Sequence, residues 1–246
     1  MASKQRWQSS ARWTLVAVVA VIVLGGLGFY WFVLRGDPPD RAALPNRSSV
    51  TTVAPGTAVG SPDGDWRLSP GDGIFVGYRV QEQFAGDSIQ KTAVGRTDGV
   101  EGSMTIAGGQ VTAVTIEADL TRLRSDQDRR DEYIQTSGLE TNDFPTATFV
   151  LAEPLALPAD LPAGTRFELD AVGDLTLHGV TQRVQLPLQA QWDGKVIDVA
   201  GGLTIVMSDY GIDPPSNSLT SVADRGEMEL QVTFHRSPSS TTTLPT

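Results

Sequence analysis

The chain runs to 246 residues, with no cysteine, two histidines and a formal net charge of −10. The missing cysteines exclude a disulfide framework, a thiol nucleophile and a thiolate metal site. Residues 1–65 carry six Lys/Arg against four Asp/Glu, and residues 66–246 carry 13 against 25. That acidic balance, with no basic stripe, argues against nucleic-acid binding and against electrostatic docking on anionic lipid.

Residues 1–12 read as a short cytoplasmic start. From Trp13 to Leu34 (WTLVAVVAVIVLGGLGFYWFVL) there are 22 residues without a formal charge. At about 1.5 Å per residue, such a helix spans about 33 Å, which matches a bilayer's hydrocarbon core. Trp13, Phe29, Tyr30, Trp31 and Phe32 lie toward its ends, where interfacial rings belong. The run is longer than a signal peptide's apolar region, and Arg35-Gly36-Asp37-Pro38-Pro39 follows it. The span 13–34 is therefore read as an uncleaved signal anchor. Lys4, Arg6 and Arg12 before it balance Arg35, Arg41 and Arg47 after it. The N-terminal amine on one side and Asp37 and Asp40 on the other favour a single-pass protein whose large domain lies outside the cytoplasm. Residues 35–65, rich in Pro, Gly, Ser, Thr and Ala, read as a flexible linker. Asn46-Arg47-Ser48 within it fits a glycosylation sequon.

Residues 66–236 alternate apolar and polar side chains in runs of period two, the pattern of half-buried strands. Ile74, Val76, Tyr78 and Val80 form one stripe, and Val100, Gly102, Met104 and Ile106 a second. Gly108-Gly109 predicts a hairpin turn leading to Val114, Ile116, Ala118 and Leu120. Ser125–Thr136 (SDQDRRDEYIQT) breaks the pattern and predicts a short helix capped by Ser125 or Asp126. Asp128, Asp131 and Glu132 would form its solvated face. Ala147, Phe149 and Leu151 resume the strands. Phe167 to Leu177 is a long strand, followed by a four-residue break, His178–Thr181. Val184, Leu186, Leu188, Ala190 and Trp192 then return, with Pro187 marking an edge or a bulge. Asp193-Gly194 is another turn. Ile197 to Met207 and Met228 to Phe234 complete the set, and residues 237–246 read as a disordered tail. About eight strands with one apolar face each predict an all-β domain, closed as a barrel or stacked as two sheets.

The stretch GDLTLHGVTQRVQLPL, residues 173–188, resembles the strand pair of YceI-like proteins, G-x-L-T-[IL]-[HKN]-G-V-T-[KR]-x-V. GIFVGYRVQEQF and AVGRTDGVEGSMTI resemble the opening strands of that family's actinobacterial-type members. RRDEYIQTSGLETNDFPTATF, SDYGI and VADRGEMELQVTF fall where further family segments do, over roughly residues 66–236. The resemblance implies a lipocalin-like antiparallel β-barrel that holds a polyisoprenoid or other lipid tail in its interior. Tyr133-Ile134 replaces the family's His-Leu pair near the barrel mouth.

With that resemblance, the candidate ligand-lining residues are Tyr78, Val80, Val100, Met104, Ile116, Phe149, Leu151, Leu169, Leu186, Leu188, Trp192, Met207 and Tyr210. Tyr210, Arg122 and Arg124 are candidates for a polar headgroup, since the arginine fork suits phosphate. His178 reads as a turn residue and His235 as a surface one. There is no Cys, no Ser-His-acid set, no phosphate loop and no calcium-loop spacing, so neither a cofactor nor a metal is expected. The expected function is non-enzymatic binding of an apolar or isoprenoid lipid, with membrane contact through residues 13–34. The alternative is a filled barrel that serves as a cell-envelope protein-interaction module.

Overall fold

The computed structural model describes residues 38–46, 60–84, 89–159, 161, 164–216 and 220–238. The expected anchor 13–34, much of the linker and most of the tail lie outside the described residues. Among those described, no helix is long and apolar enough to cross a membrane. The chain divides into Met1–Pro39 and Asp40–Thr246, and the fold below is that of the second unit.

Thirteen strands are present among the described residues: β1 (Gly64–Leu68), β2 (Phe75–Phe84), β3 (Ile89–Thr97), β4 (Val100–Ala107), β5 (Gln110–Asp119), β6 (Arg124–Ser125), β7 (Thr146–Leu151), β8 (Leu155–Ala156), β9 (Arg166–Leu177), β10 (Val180–Trp192), β11 (Val196–Ile205), β12 (Thr220–Val222) and β13 (Gly226–Arg236). They form an antiparallel barrel of eight staves. One edge of β13 pairs with β11, and the other pairs with β2 through Glu227–Gln231 and with β1 through Phe234–Arg236. β1 pairs with β4 and β2 with β3, so β1/β2 and β4/β3 are each one interrupted stave. The ring continues through β5, β7, β9 and β10 to β11. Closure pairs neighbouring staves all round the ring and gives each strand one inward face.

The alternation read in the sequence is the alternation of the walls. On β2, Val76, Tyr78 and Val80 face inward, opposite Leu230, Met228, Gly95 and Ala93 of the flanking strands. Leu175, Leu177, Leu186, Ala190 and Trp192 are buried. β3 escaped the periodic reading because its inward positions include Ala93 and Gly95, small residues that leave room for Tyr78. A Cβ on Gly95 would lie 2.3 Å from the Tyr78 ring.

The turn between β9 and β10 has two residues, His178 and Gly179, not four. Both have positive φ (51° and 72°), and Leu177 pairs directly with Val180. This twist matches that of the flanking strands, so Val180 and Thr181 already belong to β10. Pro187 lies at the first position of β10 beyond its pairing with β11, which covers Leu188–Trp192. The predicted helix is α1 (Asp128–Tyr133), continued by a wider helical turn, Ile134–Gly138. Its N-cap is Gln127, without a side-chain cap bond, rather than Ser125 or Asp126. Asp131 is buried, not solvated, and accepts bonds from the Ser125 backbone N–H (2.9 Å) and hydroxyl (2.7 Å).

Of the span read as linker, Gly64 and Asp65 already belong to β1, and Asp40–Leu44 lie on the outer wall. The Ala42 and Ala43 amides donate to Glu229 Oε2 (3.2 Å) and Gln231 Oε1 (3.0 Å), Arg41 pairs with Glu227, Arg96 donates to the Asp40 carbonyl, and Leu44 is buried. Beneath this strap, Glu229 is 2% exposed and bonds Arg96 Nη2 (2.8 Å) and Arg79 Nη2 (3.5 Å). The Arg96 guanidinium stacks 3.8 Å above the Phe75 ring.

Candidate functional site: an apolar lumen with a polar corner at its mouth

The barrel interior holds three apolar cavities in series. The mouth cavity, about 130 Å3, lies under α1 and is walled by β2, β11 and β13. A middle cavity of about 40 Å3 shares Val76, Ala147 and Met228 with it. A deep cavity of about 70 Å3 shares Ile116, Phe149, Leu186 and Leu230 with the middle one. The lumen is thus neither plugged solid nor one open tunnel. Bulky side chains divide it. The Phe149 ring lies across Gly173, where a Cβ would come within 2.3 Å of it. The mouth cavity alone is comparable to an apolar void of about 150 Å3 that stays dry and accepts benzene.

Tyr78, Val80 and Met207 line the mouth cavity. Met104, Ile116, Phe149, Leu151, Leu169, Leu186, Leu188 and Trp192 line the deep one. Val100 and Tyr210 are buried but line none of the three. Tyr210 sits behind the mouth with its hydroxyl unpartnered. Arg122 and Arg124 point to the outside, Arg122 to Asp98 (2.6 Å) and Arg124 to the carbonyls of Thr121 (3.2 Å) and Leu123 (2.7 Å). Neither lines the mouth cavity. No group of three or more potential metal ligands occurs among the described residues.

The upper wall parts where β3 and β5 diverge. The 3-10 turn Leu120–Arg122, β6, α1 and the turn after it fill that gap. His178 ties this cover down. Its Nε2 bonds Glu140 Oε2 (2.9 Å), its Nδ1 bonds the Tyr210 carbonyl (3.0 Å), and its ring packs on Phe144 with centroids 4.4 Å apart. His178 is therefore more than a turn residue, because it ties its own turn to two others, the loop of Glu140 and Phe144 and the turn of Tyr210.

The sequence reading missed the polar corner. Arg130 of α1 grips Glu82 of β2 with two bonds of 2.9 Å and also pairs with Asp126. Arg130, Glu82 and Tyr78 all line the mouth cavity. The available signal was Glu82 continuing the inward stripe Val76, Tyr78 and Val80, an acid where the pattern calls for an apolar residue. Burial, reinforced by the acids Asp131 and Glu82, pushes the Tyr78 phenol well above the usual range, so it stays a neutral donor. Burial alone would depress the Arg130 guanidinium, but the bonds and charge of Glu82 and Asp126 outweigh it and hold the pKa higher still. Both groups therefore stay protonated near neutral pH.

A family model, the YceI-like domain, matches residues 66–234. The chain belongs to the YceI-like family. A UPF0312 protein of Vibrio vulnificus (strain YJ016) is 30% identical over 126 residues, 48% of this chain and 60% of that relative's length, and its counterpart in strain CMCP6 matches equally. The chain thus spans less than two thirds of these curated relatives. Among solved structures, a polyisoprenoid binding domain from Saccharophagus degradans, implicated in plant cell wall breakdown, superposes with a TM-score of 0.54. It shares 18% identity and covers 70% of this chain and 98% of its own. BcnA of Burkholderia cenocepacia reaches 0.48 at 14% identity over 63% of this chain and 95% of its own. The likeness to the Saccharophagus degradans domain is one of fold, and the interior that this chain builds within it is apolar.

Proposed function

We propose that this YceI-like barrel binds the hydrocarbon chain of an isoprenoid or similar lipid along its lumen. The observation that carries this reading is the series of three apolar cavities, joined through shared side chains and reaching the surface under α1. Each buried methylene stabilises binding by about 0.8 kcal/mol, so a chain threading all three gains more than one held at the mouth. Met228 and Met207 border the passage and adapt to a guest more readily than branched side chains. The polyisoprenoid-binding description of the Saccharophagus degradans relative supports the ligand class. No reaction is proposed.

The reading extends to an anchored protein. Residues 13–34 would hold the barrel at the outer side of a cytoplasmic membrane, where extracted lipid need not cross much water. Protease treatment of intact cells tests this orientation, and protection of the barrel overturns it. Ligand binding is tested by native mass spectrometry and organic extraction of the gently purified full chain. Retention or uptake of a hydrophobic molecule is expected, and a chain that never takes one up overturns the reading. The rival interaction module requires an exposed apolar patch. Among the described residues Val150 is the large hydrophobic side chain exposed, at 45%, which favours the lumen as the functional surface.

A further inference from the structure

The geometry points to a charge filter at the mouth: the site accepts an isoprenoid whose polar end is a neutral oxygen, an alcohol or a carbonyl, and rejects one ending in phosphate or diphosphate. This rests on the lipid-binding reading above and names the headgroup that goes with it.

The inference starts from Tyr78. Its ring lies flat on Gly95, its cross-strand partner, and Gly95 in turn pairs with Ser125 of β6. The phenol hydroxyl is fully shielded from solvent and makes no hydrogen bond of good geometry; the Ser125 side chain approaches it as a weak partner. The Ser125 hydroxyl is already committed, however: it donates to Asp131 (2.7 Å) and accepts from Arg130 Nη1 and the Gln127 amide, both at 3.2 Å. A buried donor so poorly met is uncommon in folded proteins and marks a place where a better partner is wanted. Tyr78 borders the cavity with its ring, so a small turn of the phenol would bring its hydroxyl to the guest's own oxygen.

The second observation is the state of the cations. Arg130 is the Lys or Arg side chain lining the mouth cavity among the described residues. It is held by both Glu82 oxygens and by Asp126. Lys91 of β3, opposite Glu82, bonds Asp126 (3.3 Å). Glu82, Asp213 and Glu227 also line the cavity, and Glu227 is paired outward to Arg41. A phosphate would have to break the Arg130–Glu82 fork, stranding a nearly buried carboxylate, or lie beside Glu82 and Asp213 uncompensated. Either arrangement works against an anion. A neutral oxygen accepts from Tyr78 and disturbs nothing.

The test uses the full chain in detergent micelles with three probes: geranylgeraniol, geranylgeranyl diphosphate and a hydrocarbon of equal length. Competition is read by native mass spectrometry. The alcohol is expected to bind at least about tenfold more tightly than the diphosphate. Tyr78→Phe is expected to weaken the alcohol by about three- to tenfold and leave the hydrocarbon unchanged, the size of one neutral hydrogen bond. Glu82→Gln, which frees the Arg130 fork, is expected to raise diphosphate affinity about tenfold. Asp213→Asn, at an exposed position, is expected to raise it less and serves if Glu82→Gln fails to fold. A diphosphate that binds as tightly as the alcohol overturns the filter, as does an alcohol-to-hydrocarbon ratio unmoved by Tyr78→Phe. Equal binding of all three probes overturns the filter and leaves the lipid-binding reading standing. Failure of all three, the hydrocarbon included, overturns both.

Discussion

At the residue scale, the barrel depends on which side of the wall a side chain occupies. Leu188 lines the deep cavity from β10. Leu188→Arg would put an unpaired charge among apolar groups, and this costs far more than the lost packing. The variant is expected to unfold or to lose lipid uptake, which circular dichroism and mass spectrometry separate. Normal folding with normal loading would mean that residue 188 faces outward. Tyr210 makes the opposite case. It is 2% exposed and its hydroxyl has no partner. Tyr210→Phe removes a desolvated, unmet group while keeping the ring, so stability should hold or rise by up to about 1 kcal/mol in urea unfolding. A clear loss would reveal a hidden bond. The inward stripe through Leu186, Leu188 and Trp192 was legible because strand geometry imposes period two. The Arg130–Glu82 fork was not. It joins residues 48 apart in sequence, and only the fold of α1 over β2 brings them together.

At the scale of elements, long strands with a clean stripe could be read from the sequence, and short or diluted ones could not. β1, β3, β6, β8 and β12 escaped because two- to five-residue strands show too few alternations, or because small inward residues weaken the contrast. Composition misleads in a different way at Asp40–Leu44, where a Pro-, Ala- and Ser-rich context hides residues held to the outer wall. That strap covers Glu229, which bonds Arg79, Arg96 and the Ala42 amide. Glu229→Ala removes a buried carboxylate from two cations and is expected to destabilise the barrel by about 3–5 kcal/mol, read from the urea midpoint. Deleting residues 40–44 should cost less, because it exposes the cluster to water and leaves its pairs intact. A deletion more damaging than Glu229→Ala would show that the strap holds the wall by other means.

For the whole molecule, pH probes how the burial is distributed. Burial raises the pKa of Tyr78, Tyr133 and Tyr210, with nearby acids adding to the effect. Their folded-state values lie above the unfolded one, so they support the fold fully below about pH 10. That support is lost above it, as the unfolded chain ionises while the native one resists. The urea midpoint should fall between about pH 9 and pH 11, and Tyr78→Phe should flatten the fall. An unchanged slope would place the phenol in water. Asp126 works at the other end. Burial would raise its carboxyl, but Arg130 and Lys91 together hold it below the ordinary range. Its contribution is present above the unfolded carboxylate value, about 3.9, and is lost as pH falls below that.

The ring is sealed along β13, by three residue pairs with β1 (Trp66 with Arg236, Arg67 with His235 and Leu68 with Phe234) and five with β2, from Phe75 with Gln231 to Arg79 with Glu227, which join the opening strands to the last. A nascent chain therefore cannot finish this seam until its final stave has been synthesised. Until then, the oily face of every earlier strand has nothing to close against. Pairing across so long a stretch of sequence is slow, because loop-closure entropy is lost before the contacts that offset it can form. The domain is thus suited to maturing after synthesis rather than during it. Cutting the chain before Gly226 should yield an open, sticky sheet instead of a smaller cylinder.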